Sequence, residues 1–302
     1  MDLSLFDLHC DTAFEIYRHK LSLASNDLAV SFDKSDKYSR YCQTFAIWSD
    51  SSLDDDSAFE QFNNIYKYFS KDVEKASLPD SISYILAVED ARILNNDIKR
   101  LYHLKACNIK ILTLTWQGVS CIGGAYDTDT ALTEFGERVV NECFDLGIIV
   151  DISHSSRRTA RRVFELNDNR FPIIASHSNS YSVFPHQRNL TDNEIKKIID
   201  CYGLIGINLY YKHLGLEQNS SERVALDRIF EHIDRILSLG GENTLCLGCD
   251  FDGADTPRCL KTISDLYKIA DIMLSKGYND TIVKKIFWDN ANNFANKNLL
   301  YK

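Results

Sequence analysis

The sequence predicts an α/β protein of the (β/α)8 (TIM) barrel class. Eight short apolar segments, mostly rich in β-branched or aromatic residues, recur along the 302 residues, and segments with helical periodicity separate them. Strands that alternate with helices predict a parallel sheet, because parallel neighbours require a crossover connection. Eight such units in about 250 residues match the size of a barrel. An open, doubly wound sheet is the competing architecture.

The predicted strands and helices follow one another along the whole chain. The strands are LSLFDLH (3–9), YCQTFAIW (41–48), ISYILAVE (82–89), IKILTLTW (109–116), GIIVDISH (147–154), FPIIASHS (171–178), YGLIGINLY (202–210) and NTLCLGCDFDG (243–253). Helical periodicity is clearest in AFEQFNNIYKYFSKDVEK, TEFGERVVNECFDL, RRTARRVFEL, NEIKKIIDCY and ALDRIFEHIDRILSLG. The C-terminal segment YNDTIVKKIFWDNANNFANKNLLYK predicts one or two extra helices. No linker divides the chain, so we predict a single domain over residues 1–302.

Composition and charge exclude several classes of protein. A hydrophobic content of 44% with 11% aromatic residues is sufficient for a packed core. The formal net charge of −9 argues against nucleic acid or an anionic membrane as the main partner. No apolar segment approaches the roughly 20 residues of a membrane span. The N-terminus also lacks the features of a secretory signal. We therefore expect a cytoplasmic protein.

The cysteine pattern also favours a cytoplasmic protein. There are nine of them, an odd number, and several lie within apolar strand-like segments. Cys246 and Cys249 form a C-x-x-C pair, but residues three apart in a strand point to opposite faces, so a shared zinc ion is not expected there. Reduced, buried thiols are the simpler interpretation.

Residues that can bind metals or transfer protons stand at the ends of several predicted strands. They are Asp7, His9 and Asp11 in the first, Glu89 in the third, His154 in the fifth, His177 in the sixth, and Asp250 and Asp252 in the eighth. Barrel active sites are built from the C-terminal ends of different strands, so we expect these side chains to converge. The period of two along a strand places Asp7, His9 and Asp11 on one face with Leu3 and Leu5, pointing inward.

The converging residues predict a metal site. The candidate ligands are His9, Asp11, Glu89, His154 and His177. Imidazole and carboxylate ligands suit zinc or a similar ion. Five ligands exceed the three of an ordinary catalytic zinc and suit two ions that share a bridging carboxylate.

Each of these residues also has a simpler explanation. A single histidine in DISHSS or ASHSNS is compatible with a hydrogen-bonded structural role. Glu89 could cap the following helix, and Asp250 and Asp252 could organise the DFDG turn. The metal site is favoured because five strands would otherwise end in ligand-type residues for unrelated reasons.

These motifs resemble those of the membrane (renal) dipeptidase family of zinc metallopeptidases, in particular its bacterial cytosolic type. The matching segments are DLHCDT, AVED, LTLTW, EFGERVV, GIIVDISHSS, IIASHSNSYSVFPHQRNL and LGCDFDG, which extend over nearly the whole chain. The resemblance implies a (β/α)8 barrel, two zinc ions per chain and a homodimer. It also implies hydrolysis of dipeptides by a metal-bridging hydroxide, with D-residues tolerated at the C-terminal position.

The resemblance also implies a role for each site residue. His9 and Asp11 would hold one zinc ion, His154 and His177 the other, and Glu89 would bridge the two. Asp250 would be the general acid/base, with Glu89 as the second catalytic residue. The candidate substrate-binding residues are Arg188, which would bind the substrate carboxylate, and Trp116, Asn189 and Tyr210. Asp7 would orient a ligand, and Ser178 and Asn179 could do the same or only shape the turn.

Two departures from the family pattern affect these expectations. Many members have histidine after LTLT, where this chain has Trp116. An indole N–H can donate one hydrogen bond but cannot carry the charge of an imidazolium, so substrate choice is expected to differ. Packing at the rim is the alternative role for Trp116. The usual Glu-Gly after the third strand is Glu89-Asp90 here, which is expected to change the loop.

Two other functions compete with dipeptide hydrolysis. Other binuclear hydrolases and metal-dependent nucleases of the amidohydrolase type also use barrel-end ligands, but they usually open with His-x-His rather than His9-x-Asp11, and the acidic charge disfavours a phosphodiester polymer. A barrel that binds peptides without catalysis is supported only by Trp116.

Overall fold

The computed structural model describes residues 2–299 and contains eight parallel strands. The strands are β1 (Leu5–Cys10), β2 (Tyr41–Trp48), β3 (Ile82–Glu89), β4 (Ile109–Thr113), β5 (Ile149–Asp151), β6 (Ile173–Ile174), β7 (Ile205–Ile207) and β8 (Leu245–Leu247). Their order is β6-β5-β4-β3-β2-β1-β8-β7, and a parallel bridge between Ala175 and Ile205 joins its two ends. Every strand therefore lies beside its neighbours in sequence. The predicted barrel is confirmed, and the open doubly wound sheet is excluded.

Helices follow the strands at each predicted position. The α-helices are α1 (Thr12–His19), α2 (Asp55–Ala76), α3 (Ile98–Ala106), α4 (Glu134–Leu146), α5 (Arg157–Asn167), α6 (Asp192–Asp200), α7 (Tyr211–Leu214), α8 (Glu222–Ser238), α9 (Tyr267–Ser275), α10 (Asp280–Lys284) and α11 (Asn290–Asn298). A π-helical turn, Lys285–Asp289, connects the last two. The extra C-terminal helices were predicted from the sequence and are present.

Several helices begin at a side-chain cap that also ends the preceding rim loop. Ser156 caps α5 by accepting a hydrogen bond from the Thr159 backbone N–H, and Thr191 with Glu194 forms a capping box at the start of α6. Because the loops end at fixed residues, the side chains that they carry are held in defined positions.

The barrel interior is apolar at its N-terminal end and polar at its C-terminal end. Phe6, Leu8 and residues of the other strands form an inward-facing apolar cluster, which Trp288 and Phe294 of the C-terminal helices cover. A second, larger cluster fills the space between the sheet and the outer helices. The extra helices thus close one end of the barrel, and the polar side chains occupy the other.

The strands after β4 are shorter than the sequence predicted. Their C-terminal residues, including His154, His177 and Asp250, leave the ladder and form loops.

All nine cysteines are free thiols, and seven of them are buried. Among residues 2–299, none of the helices has the length and apolar character needed to cross a membrane.

Candidate metal centre

Five predicted ligands meet at the C-terminal end of the barrel. Glu89 lies at the centre, with its Oε1 atom 3.1 Å from Nε2 of His154, 3.4 Å from Nε2 of His177 and 3.7 Å from Nε2 of His9. Asp11 completes the set, because its Oδ2 atom is 3.6 Å from His9 Nε2. Histidines from three strand ends are therefore brought within 4 Å of a carboxylate oxygen at the end of a fourth strand.

The imidazole rings of His154 and His177 are oriented by contacts of their Nδ1 atoms, whereas their Nε2 atoms face Glu89. Nδ1 of His154 is 3.0 Å from the carbonyl oxygen of Trp116, and Nδ1 of His177 is 2.8 Å from the Ser176 hydroxyl. A carbonyl oxygen can only accept, so Nδ1 of His154 carries the proton and its Nε2 atom presents a lone pair. The two Nε2 atoms are 2.9 Å apart. This anchoring is typical of histidines that bind metals.

The cluster fits a bound cation. Nε2 of His9 and Oδ1 of Asp11 are buried and have no hydrogen-bond partner among the described residues, which is costly unless another group satisfies them. His9, Glu89 and His177 have donor atoms close enough to share one ion, and so do His9, Asp11 and Asp250. Imidazole nitrogens together with carboxylate oxygens are the ligands of catalytic zinc.

The three histidines of the cluster differ in the direction of their pKa shifts. Burial works against a charged His9, but the Glu89 and Asp11 carboxylates raise the pKa of His9 well above its usual range. Burial also opposes ionisation of Glu89, yet His9 and His154 hold the pKa of Glu89 below its usual range. Burial lowers the pKa of His154 and His177, and the Arg188 guanidinium adds to this effect. The surroundings therefore favour the protonated form of His9 and the neutral forms of His154 and His177.

The pKa of Asp11 is also set by burial and by neighbouring charges. Burial raises the pKa of the Asp11 carboxyl to about 7, and the negative charge of Glu89 contributes to the increase. A cation beside these two carboxylates would remove their mutual repulsion.

Asp7 does not share the inward face that the sequence predicted for it. Between the pairs Asp7–Gln43 and Cys10–Phe45, two residues of β1, Leu8 and His9, oppose a single residue of β2, which is a β-bulge. The bulge reverses the alternation, so His9 points into the barrel. The carboxylate of Asp7 accepts hydrogen bonds from the backbone N–H groups of Cys249 at 2.8 Å and His9 at 3.4 Å. Asp7 therefore ties the ends of β1 and β8 together, and the prediction that it points inward with His9 is wrong.

Unusual backbone conformations occur at the site. His154 and Asp250 have φ angles of +65° and +63°, in the left-handed region that non-glycine residues rarely adopt. The glycine of the DFDG turn is required for a different reason. A Cβ atom on Gly253 would lie 1.9 Å from Oδ2 of Asp11. Only glycine lets this turn approach the Asp11 carboxylate so closely.

Asp250 faces the cluster from the end of β8. One of its oxygens, Oδ1, is 4.0 Å from Nε2 of His9, and the other accepts a hydrogen bond of 2.9 Å from the amide of Asn208. Asn208 is itself held by the backbone N–H of Tyr210 and by Asn179. The carboxylate of Asp250 therefore has a fixed orientation toward the cluster.

Arg188 is a buried cation beside the same cavity. It is 4% exposed, its Nε atom has no hydrogen-bond partner among the described residues, and its guanidinium donates to the carbonyl oxygen of His177 at 3.4 Å. The ring of Tyr126 lies 5.8 Å from the guanidinium carbon. Burial lowers the pKa of Arg188, while the nearby Asp250 and Glu89 raise it. No described carboxylate forms an ion pair with it, so the guanidinium can bind an anionic ligand.

Asp11, Glu89, His154, Asp250 and Arg188 line one open cavity of about 740 Å³. Trp116 and Tyr210 also line it. Trp116 packs against Trp48, with ring centroids 5.2 Å apart, and lies over the ring of His154 at 6.3 Å. A cavity of this size can hold a small molecule such as a dipeptide.

Asn189 lies outside this cavity lining. It is fully buried, and its amide donates hydrogen bonds to the carbonyl oxygens of Phe184 and His213. These contacts hold the loop that carries Arg188, so any effect of Asn189 on a substrate would act through that loop.

Three buried polar residues of the site were not predicted from the sequence. They are Asp151, Ser176 and Asn208, each fully or almost fully buried. Each is a polar residue on the inward face of an otherwise apolar strand, next to a ligand or facing Asp250. A polar residue at an inward-facing position of an apolar segment could have indicated them. They were missed because only the residues at the predicted strand ends were considered.

A parallel barrel with histidine and carboxylate donors at the C-terminal ends of its strands defines a metal-dependent hydrolase. The family model for membrane dipeptidases (peptidase family M19) matches residues 2–296. The chain belongs to this family and is a metallopeptidase of the membrane dipeptidase type.

Two curated relatives are about a quarter identical to this chain over the residues that align. An uncharacterised protein from the pqqA 5′ region of Klebsiella pneumoniae is 25% identical over 231 residues, which cover 72% of this chain and 83% of the relative. The dipeptidase aclJ of Aspergillus oryzae is 29% identical over 204 residues, which cover 66% of this chain and 47% of the relative.

Solved structures share the fold over almost the whole chain. The M19 metallopeptidase named dipeptidase AC has a TM-score of 0.90 with 21% identity, covering 99% of both chains. A metallopeptidase from Rhodobacter sphaeroides, solved with a phosphinate mimic of L-Ala-D-Ala, has a TM-score of 0.88 with 20% identity, covering 99% of this chain and all of the other.

Proposed function

We propose that the protein is a zinc-dependent dipeptidase with two zinc ions per chain. The observation that carries this proposal is the pairing of a histidine–carboxylate cluster with a buried guanidinium in one cavity. A dipeptide offers a scissile carbonyl for the cluster and, one residue away, a free carboxylate for Arg188.

The proposed metal ligands divide into two sets around Glu89. His9 and Asp11 would hold one ion, His154 and His177 would hold the other, and Glu89 would serve both sets. Two zinc ions in such a site supply an activated water molecule and polarise the scissile carbonyl.

Asp250 is the proposed group that transfers the proton. Its Oδ1 atom faces the cluster, and the Asn208 amide holds its other oxygen. A carboxylate in that position can accept a proton from the attacking water and deliver it to the departing amine. Glu89 would contribute to the reaction by holding the ions.

Arg188 explains a preference for very short substrates. A guanidinium binds a carboxylate with two parallel hydrogen bonds, and its burial excludes competing water. Because Arg188 lines the same cavity as Glu89 and His154, a peptide with its terminal carboxylate next to the scissile bond can use both. Trp116 and Tyr210 form cavity walls against which the substrate side chains pack.

The stereochemistry at the C-terminal residue is part of the proposal. The Rhodobacter sphaeroides relative was solved with a mimic of a dipeptide that ends in a D-residue. We therefore expect dipeptides with a C-terminal D-residue to be among the substrates. The homodimer and the cytoplasmic location remain predictions from the sequence.

A panel of L,L- and L,D-dipeptides incubated with zinc-loaded protein and followed by LC–MS tests this function. Hydrolysis of dipeptides, with much slower cleavage of the corresponding dipeptide amides, is expected. Single-stranded DNA in the same panel tests the nuclease alternative. Asp250→Asn should lower turnover by orders of magnitude and leave the zinc content unchanged. Dipeptides that remain intact under these conditions would rule out the proposed activity.

A further inference from the structure

A buried hydrogen-bond chain lies directly beneath the metal centre. The carboxylate of Asp151, at the end of β5, accepts hydrogen bonds from the backbone N–H groups of Ser153 at 2.9 Å and Ser176 at 3.0 Å. It also accepts one from the Thr113 hydroxyl at 2.7 Å and one from the Ser176 hydroxyl at 2.6 Å. Asp151 is fully buried, so all four contacts are shielded from water.

The Ser176 hydroxyl connects this carboxylate to two of the histidines. Its oxygen is 2.8 Å from Nδ1 of His177 and 3.5 Å from Nδ1 of His9. A hydroxyl has one proton to donate, and the carboxylate at 2.6 Å is the strongest acceptor available. The Ser176 oxygen must therefore accept a hydrogen bond from His177, whose Nδ1 atom carries the proton. Nε2 of His177 is left with a lone pair directed at Glu89.

We propose that Asp151 and Ser176 are positioning residues that hold His177 in the tautomer and orientation required for metal binding. Asp151 acts through the hydroxyl rather than by contacting the ring, and neither residue touches the cavity. This inference rests on the proposed zinc site, because its consequence is a higher affinity for zinc. The second contact, to His9, links the chain to a ligand from the other set.

The barrel backbone keeps this arrangement compact. A Cβ atom on Gly206 or Gly248 would lie 1.9 or 1.8 Å from the carbonyl oxygen of Ser176. These glycines allow β7 and β8 to pack against the end of β6, so Ser176 cannot shift toward them. The hydroxyl is therefore confined between Asp151 and His177.

Zinc affinity measured by competition with a fluorescent chelator tests the proposal. Ser176→Ala removes the hydroxyl with little change in volume and is expected to weaken one of the two zinc-binding steps about 10- to 100-fold. Ser178→Ala is the matched control, because Ser178 is a buried serine on the other side of His177 whose hydroxyl has no partner among the described residues. Its zinc affinity should equal that of the unmodified protein. Thermal unfolding of the metal-free variants separates this effect from a loss of folding.

A double-mutant cycle distinguishes one chain from two separate contributions. Asp151→Asn alone should also weaken zinc binding. The double variant should bind zinc no more weakly than the more affected single variant, because both residues act along one path. Equal affinity in Ser176→Ala and Ser178→Ala, with two zinc ions bound to the unmodified protein, would overturn this inference and leave the proposed function intact. No zinc binding by the unmodified protein would overturn both.

Discussion

The amide of Asn208 donates a hydrogen bond of 2.9 Å to Oδ2 of Asp250, and this contact leaves the other oxygen of Asp250 facing His9. The proposed proton-transfer group is thus held by a fully buried side chain that does not line the cavity. The same amide donates to the backbone carbonyl oxygen of His177 at 3.4 Å. Asn208 lies at the end of β7, so the orientation of Asp250 depends on a neighbouring strand.

Replacement of Asn208 by Leu should lower the kcat for dipeptides on the order of 100-fold, because a misplaced catalytic group costs about that much. The zinc content should stay at its original value, since Asn208 donates to no proposed ligand side chain. Steady-state kinetics with metal analysis of the same sample measures both quantities. Unchanged kcat would show that Asp250 does not need this support.

Arg188→Lys should raise the KM for dipeptides about 10- to 100-fold, because hydrogen bonds to a charged partner contribute roughly 1.5–3 kcal/mol and lysine lacks the planar pair of donors. Dipeptide amides provide the control, since they have no carboxylate to lose. The ratio of kcat/KM for dipeptide to that for amide should therefore fall in the variant. If both substrates are affected equally, Arg188 does not bind the carboxylate.

Trp116 lines the cavity, and its contacts are aromatic. Trp116→Phe keeps the packing against Trp48 and His154 but removes the indole N–H. We expect kcat/KM within about a factor of three of the original, because the loss of packing should be small for a volume-reducing aromatic exchange. Trp116→Ala should be much less active. A large loss in Trp116→Phe would instead indicate a hydrogen bond from the indole to the substrate.

The barrel and most of its site could be predicted from the sequence for a physical reason. Strand–helix alternation and ligand-type residues at strand ends are local patterns, and a closed parallel sheet brings those ends together. The inward alternation of Asp7 with His9 was wrong because a β-bulge depends on how two strands pair, which the sequence of one strand does not reveal. Asp151 and Ser176 were overlooked because their role appears only when β5 and β6 are neighbours.

His232, which lies outside the candidate metal centre, is expected to make the free energy of unfolding depend on pH. It is buried in α8, and its Nδ1 atom accepts a hydrogen bond from the backbone N–H of Ser180. Burial lowers the pKa of His232 to about 4. Between the unfolded value of about 6.5 and pH 4, the unfolded chain binds a proton that the folded chain does not, so the free energy of unfolding falls as the pH falls, by up to about 3 kcal/mol.

His232→Asn retains an acceptor for the Ser180 N–H but does not titrate in this range. The difference in unfolding free energy between the original protein and the variant should therefore shrink from pH 7 to pH 4. Urea unfolding at four pH values measures it. A constant difference would show that His232 titrates equally in both states.

We propose that side chains from separate strand ends bind two cations at one end of the barrel. A crystal structure of the zinc-loaded protein, with anomalous diffraction data collected above and below the zinc absorption edge, would show where the ions lie. Two zinc peaks about 3.5–4 Å apart are expected, one against His9 and Asp11, the other against His154 and His177, with Glu89 between them. A single peak, or zinc bound away from Glu89, would disprove the two-cation site.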